Sequence, residues 1–202
     1  VEQVNKIVFF DVETSGLDPK AHDVIQIASI AVDESFEELA NYHARVQFDA
    51  AKASPEALEV NHYTPEAWAD AEPARVVVDE FAQFLSAHAT VSQVSKRTGR
   101  PYKVAQLAGH NVATFDVPFL REMFGRVGQF CPIRFIALDT LQLAAWWVHR
   151  FSVMRDRPAP ENLKLETLAD HFGIKRTGDA HDALSDVEVT VRLAHQLLEV
   201  PR

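Results

Sequence analysis

The sequence predicts a mixed α/β fold, a five-stranded sheet flanked by helices, on two observations. Three strand patterns fall close together early in the chain, followed by helix and strand patterns in alternation and then by helices alone. Strands joined by short connections pair antiparallel, whereas strands separated by a helix are added in parallel. The second observation is bulk composition: 202 residues, 47% hydrophobic and 24% charged, with no internal repeat or low-complexity tract, describe one globular domain over 1–202.

The elements follow in order. Residues 6–10 form a short apolar run rich in β-branched and aromatic side chains, and Val24–Val32 forms a longer one with partial alternation. Both read as strands, the second central in the sheet. The turn-rich stretch Thr14-Ser15-Gly16-Leu17-Asp18-Pro19 separates them. Residues 45–48 supply a third strand pattern. Pro55 and Pro65 bracket 56–64, which leaves room for a short helix or an ordered loop. Apolar residues at 77, 78, 81, 84 and 85 make 76–87 an amphipathic helix, and Gln106–Gly109 is a brief strand. Helical spacing returns over 115–127, with Pro118 in the first turn, where a missing N–H costs little. Residues 133–138 read as a strand, 140–149 as a helix, and 164–172 as a helix closed by Gly173. The last helix runs from 180 to 198 on an apolar stripe at 184, 187, 191, 194 and 198. Residues 92–103 stand apart as a polar inserted loop carrying Lys96, Arg97, Arg100 and Lys103 with no acid.

Several function classes drop out on composition. The net charge of −9 argues against a non-specific nucleic-acid coat, though not against a nuclease, because metal-binding carboxylates are themselves acidic. The longest near-apolar stretch, Val24–Val32, is about half of the ~18 residues that a membrane span needs. No secretory h-region is present, and a lone Cys131 suits a reducing, cytoplasmic compartment. Val rather than Met stands first, as in a processed or excised piece.

The chemistry concentrates in carboxylates at strand and helix ends. Asp11 and Glu13, two apart on a strand, project to the same side. Two carboxylates so held repel one another unless a cation lies between them, and hard oxygen ligands suit Mg²⁺ or Mn²⁺. The same pair also reads as a solvated strand end. Asp116 opens a helix just after His110-Asn111 and alone reads as an N-cap. His181 and Asp186 fall at the start of the last helix, where the helix N-terminus disfavours a protonated ring and leaves His181 able to act as a base.

Taken together, D-x-E-T-S-G-L from Asp11 to Leu17, H-N-x-x-x-F-D from His110 to Asp116, and H-D-A-L-x-D from His181 to Asp186 resemble the motifs of the DEDDh, or DnaQ-like, 3′→5′ exonucleases. Likeness extends between the motifs: residues 54–61 resemble the family's P-E-A segment, Asp139-Thr140-Leu141 its D-T-L helix start, and 165–174 its L-x-x-L-A-x-x-F-G-I stretch. Three residues rather than two separate Asn111 from Phe115, a spacing closer to the three-prime repair branch than to the bacterial proofreading branch. His62-Tyr63 stand where the family often has Gly-Ile, and the basic 92–103 insertion is outside its pattern.

The resemblance implies a ribonuclease H-like sheet gathering Asp11, Glu13, Asp116 and Asp186 around two divalent ions, Mg²⁺ or Mn²⁺, with His181 as general base. It also implies that Thr14 and Leu17 meet the terminal nucleotide and that Asn61 and Phe115 are further substrate contacts. Leu17 and Phe115 read equally as ordinary apolar rim or core. The expected substrate is nucleic acid with a free 3′ end, single-stranded DNA before RNA, because Glu13-Thr14-Ser15-Gly16-Leu17 resembles the proofreading and repair branches. An RNA-trimming exoribonuclease of the same family and a non-catalytic nucleic-acid-binding module are the alternatives. The resemblance leaves the assembly open between a chain acting alone, a homodimer and a polymerase subunit, with no membrane association. Trp146 and Trp147 lie on adjacent helix positions ~100° apart, so at most one can offer a stacking platform, and core packing is the expected role.

Overall fold

The structure, a computed structural model, describes residues 5–150, 158–176 and 183–199. Among these residues the strands are β1 (Ile7–Thr14), β2 (Val24–Val32), β3 (Glu38–Arg45), β4 (Val91–Val94), β5 (Pro101–Val104), β6 (Gln106–Gly109) and β7 (Leu138–Asp139). The α-helices are α1 (Pro55–Val60), α2 (Ala74–Ala87), α3 (Asp116–Arg126), α4 (Thr140–Val148), α5 (Leu165–Phe172) and α6 (Ala183–Leu198). The main sheet has five strands in the order β3-β2-β1-β6-β7. β1 pairs antiparallel with β2 and β2 antiparallel with β3, while β6 and β7 are added in parallel. The mixed five-stranded prediction therefore holds.

Strand alternation sorts the side chains of β1 between two layers. Val8, Phe10 and Val12 face α2 and α3, where they pack with Val77, Val78, Phe81, Phe119, Leu120 and Phe124. Phe9 faces α6 and packs with Ala183, Val187 and Ala194. Asp11 and Glu13 share the parity of Phe9, so they emerge on the α6 side at the open end of the strand. β2 is buried along its whole length because both of its faces are covered. Between Glu13 and Thr14 the β1–β2 register slips at a bulge, the kind of irregularity that increases twist and re-aims side chains.

Several expectations need correction. The third strand is Glu38–Arg45, not 45–48; this edge strand is polar and has no buried residue, so it carries little hydrophobic signal. Residues 133–138 do not form a strand. Ile133 makes one bridge to Ala105, Phe135 and Ile136 are exposed, and pairing resumes only at Leu138. The inserted segment 92–103 is not a loop but most of the hairpin β4–β5. The first strand runs on through Asp11 and Glu13 to Thr14. The two tryptophans divide: Trp147 packs edge-on against Phe172, while Trp146 is exposed.

Gly109 ends β6 where the chain turns toward His110. A Cβ there would lie 2.8 Å from the Phe10 carbonyl oxygen and 2.8 Å from Val112 Cβ, and the backbone atom cannot move aside. Gly109→Ala is expected to destabilise by about 1–3 kcal/mol, the usual penalty of overpacking, read as a lower denaturant midpoint at unchanged slope.

Candidate active site

The site is built at the open end of β1. Asp11 and Glu13 come from the strand and Asp186 from the first turn of α6, so that one carboxylate oxygen from each lies within 4.8 Å of the others. Asp116 does not join that triangle. It is buried at the start of α3, where its Oδ1 accepts the Val12 N–H at 3.0 Å and so ties the helix to the strand between Asp11 and Glu13. Arg176, just after α5, donates to Asp186 Oδ1 and lies near Ser185 Oγ. Nothing in the sequence singled it out, since an isolated arginine after a helix has no pattern.

Burial and like charge act together here. The Asp11 carboxyl is pushed well above its usual range, first by burial and then by repulsion from Asp116, Glu13 and Asp186, with Arg176 opposing. The Asp116 carboxyl is raised to about 7, chiefly by burial. Three carboxylates that destabilise one another as anions are a donor set suited to a hard divalent cation, which would remove the repulsion.

Stability therefore depends on pH with a definite sign. A carboxyl raised on folding binds more protons in the folded state than in the unfolded one, so stability falls as pH rises from about 4 to about 7. In EDTA the protein is expected to melt at a lower temperature at pH 8 than at pH 5. Asp116→Asn should flatten that trend; an unchanged slope would mean that Asp116 is not the group responsible.

Beside the carboxylates the segment 14–23 forms a pinned loop. Ser15 N–H donates to the Asp23 carbonyl at 2.9 Å, and Asp23 N–H to Ser15 Oγ at 2.9 Å, closing its two ends. Arg126 at the end of α3 bonds the Pro19 and Lys20 carbonyls and the Asp23 carboxylate. Ser54 N–H donates to the Ser15 carbonyl, and Asn61 Nδ2 to the Thr14 carbonyl at 3.0 Å. The loop so held presents Leu17 at 83% exposure, while Thr14 is buried. Of the substrate contacts expected from the sequence, Leu17 thus faces solvent. Asn61 spends its amide on the backbone of Thr14, and Phe115 is half-buried against Phe119.

Asp139 holds the other wall. Its two oxygens accept the N–H groups of Asn111, Ala113 and Leu141, each at 3.0 Å, which caps α4 and fixes the turn leading to Asp116. Asn111 is in the left-handed region at φ 58°. His110 is fastened between Thr140 Oγ1 and the Leu163 carbonyl, and burial lowers its pKa. Sequence reasoning marked Asp139 only as a helix start; its reach back to 111–113 is a tertiary contact. His181 lies outside the described residues.

A family model described as exonuclease matches residues 8–194. The chain is 34% identical over 99 residues to the chloroplastic/mitochondrial exonuclease DPD1 of Arabidopsis thaliana, covering 48% of this chain and 30% of that protein. It is 25% identical over 197 residues to the PolC-type DNA polymerase III of Bacillus subtilis, covering 95% of this chain and 11% of that one. Among solved structures, E. coli exonuclease I in complex with a dT13 oligonucleotide superposes with a TM-score of 0.74 at 22% identity, over 96% of this chain and 41% of that one. The likeness establishes the shared ribonuclease H-like fold, and the chain spans less than half the length of each of these relatives. Among the described residues no helix is long and apolar enough to cross a membrane.

Proposed function

The chain belongs to the exonuclease family, and from that premise we propose that it is a divalent-metal-dependent 3′→5′ exonuclease that releases nucleoside 5′-monophosphates from single-stranded DNA. The observation that carries this reading is the meeting of Asp11, Glu13 and Asp186, whose oxygens come within 4.8 Å at the rim of an exposed loop. Asp11, Glu13 and Asp186, with Asp116 beneath them, would hold two ions, Mg²⁺ or Mn²⁺. Bound there, such ions supply Lewis acidity toward the phosphoryl and leaving oxygens and lower the pKa of water.

The chain's own residues do the rest. Asp116 fixes the Val12 backbone and with it the direction in which Asp11 and Glu13 point. The pinned loop offers Leu17 to the face of the last base, a sequence-tolerant contact, and by family resemblance the Thr14 backbone lies near the terminal 3′-hydroxyl. His181 takes the proton of the attacking water as its oxygen bonds to phosphorus and the P–O3′ bond breaks, the departing O3′ taking a proton from solvent to become the new 3′-hydroxyl. Asn61 and Phe115 act on substrate through the loop and helix they brace. DNA is favoured over RNA by the Glu13-Thr14-Ser15-Gly16-Leu17 motif, and E. coli exonuclease I, which has the same fold, was solved with dT13 and with dA16 oligonucleotides.

The test is a time course on matched 5′-labelled single-stranded DNA and RNA with Mn²⁺, with EDTA, and with Asp186→Ala. The expected result is a metal-dependent ladder shortening from the 3′ end, faster on DNA and absent in the variant. A faster RNA ladder would make the chain an exoribonuclease. Intact oligonucleotides under every condition would leave a nucleic-acid-binding module.

A further inference from the structure

We propose that the hairpin β4–β5 is a cationic arm that binds the backbone of the same nucleic-acid strand upstream of the 3′ end, at a site separate from the carboxylate cluster. The inference rests on the exonuclease reading above and extends it to how long substrates are held.

Charge is the first observation. Lys96, Arg97, Arg100 and Lys103 fall within eight consecutive residues, and no carboxylate occurs between Glu80 and Asp116. Outside these four the chain has 16 Lys and Arg against 29 Asp and Glu, so the rest of the surface repels a polyanion on balance. All four side chains are exposed, and none has an ion-pair partner among the described residues. A lysine on a solvated hairpin commonly does no more than discourage edge pairing, but four unneutralised cations on an acidic chain exceed that need.

The second observation is that the arm is built. Val91 pairs with Val104, Ser92 with Lys103, Gln93 with Tyr102 and Val94 with Pro101. This register turns Lys103 to the exposed face and leaves Lys96, Arg97 and Arg100 in the connecting turn, which Ser95 and Gly99 close by backbone hydrogen bonds. Gly99 takes a left-handed φ of 68° there. A two-stranded hairpin is marginal alone. Here Val104 is fully buried at its base, Tyr102 Oη donates to Gln93 Oε1 at 2.8 Å, and the Tyr102 ring meets Phe130 edge-on at 6.0 Å. Phe130 is itself 64% exposed and packs on the Tyr102 face of the hairpin, the side opposite Lys103.

Position decides which part of the strand the arm can reach. β5 leads directly into β6, whose first residue, Gln106, lies opposite Ile7 at the start of β1. The carboxylates lie toward the far end of that strand. Six residues of strand separate Ile7 from Glu13, about 20 Å at ~3.3 Å per residue. At the ~3.4 Å per nucleotide of a stacked strand this distance corresponds to about six nucleotides, and a more extended single strand covers it with fewer. Substrates of two or three nucleotides never touch it.

The experiment compares dT20 with dT3 for the wild type and for Lys96→Ala/Arg97→Ala/Arg100→Ala/Lys103→Ala, reading KM, kcat and the salt dependence of KM. Loss of three to four phosphate contacts, at a slope of ~0.7 per contact for single strands, predicts a KM for dT20 raised roughly 100- to 600-fold near 0.1 M salt relative to a 1 M reference. The values for dT3 and kcat on both substrates should not change. Arg97→Lys/Arg100→Lys, which keeps the charge, should bind dT20 like the wild type. Equal salt slopes for dT20 and dT3 in the wild type would overturn the proposal without any variant. An unchanged KM for dT20 in the quadruple variant would also overturn it. So would a variant that changes only oligomeric state in sedimentation, which would assign the arm to a second, acidic copy of the chain. If the wild type degrades neither substrate, the exonuclease reading fails by itself; fluorescence anisotropy of labelled dT20 then still reads the arm, with weaker binding by the variant expected.

Discussion

Asp11→Asn is expected to remove nuclease turnover while raising the melting temperature of the ion-free protein. The two effects share one cause. Asp11 is surrounded by Asp116, Glu13 and Asp186, and their repulsion together with burial holds its carboxyl well above the usual range. A neutral amide of the same shape relieves three repulsions and gives up one attraction, to Arg176. The ion-free fold therefore gains stability at pH 8, where the wild-type carboxyl is most strained. Catalysis moves the other way, because the amide offers a weaker ligand where a full negative charge is needed. The rate should fall by at least ~10²–10³-fold, the range for removing one preorganised electrostatic group from a transition-state site. Saturating Mn²⁺ at ~100 times its Kd would stabilise the wild type by about 2.7 kcal/mol, and this gain should shrink in the variant. Melting curves in EDTA and in Mn²⁺, run beside the ladder assay, read both arms. A variant that melts below the wild type in EDTA would show that the carboxylates do not oppose folding. Such opposition between stability and activity is the usual mark of a functional cluster.

What the sequence carried and what it did not divides along physical lines. Strands buried on both faces, such as Val24–Val32, declare themselves through continuous apolar runs, and helices with one buried stripe declare themselves through spacing. Glu38–Arg45 escaped because an edge strand with no buried residue has few apolar side chains to count. Residues 133–138 misled for the opposite reason: Phe135 and Ile136 look like strand residues but lie exposed. At the site, a spacing of two placed Asp11 and Glu13 on one face, and the structure adds that this face is the one α6 covers. The roles of Arg176 on Asp186, of Asp139 on the 111–113 turn, and of Asn61 under Thr14 are side-chain contacts across 10 to 47 residues of chain, and no local pattern encodes them. The hairpin was legible only as charge, because its pairing depends on Tyr102 and on the buried Val104 more than on any turn signature.

His181→Ala is expected to lower the rate by roughly 10²–10⁴-fold, the usual contribution of a positioned general base. His181 precedes Ala183, the first residue of α6, by two, and Asp186 on that helix is part of the carboxylate cluster. The role needs a neutral imidazole, whose ordinary pKa of about 6.5 makes the active fraction rise across physiological pH. The wild-type rate should therefore climb from pH 6 and level off by pH 8. At saturating Mn²⁺, which keeps the carboxylates ionised, the residual rate of His181→Ala should lose that rise on the acid side, since no side chain then has to shed a proton before accepting one from water. Stability separates this role from that of the carboxylates. The variant keeps every carboxylate, so Mn²⁺ should raise its melting temperature as much as it raises that of the wild type, whereas Asp11→Asn loses part of that gain. A His181→Ala enzyme with near-wild-type rates would place the base elsewhere. One that has lost both its rate and its Mn²⁺ response would make His181 a support of the metal site rather than a proton acceptor.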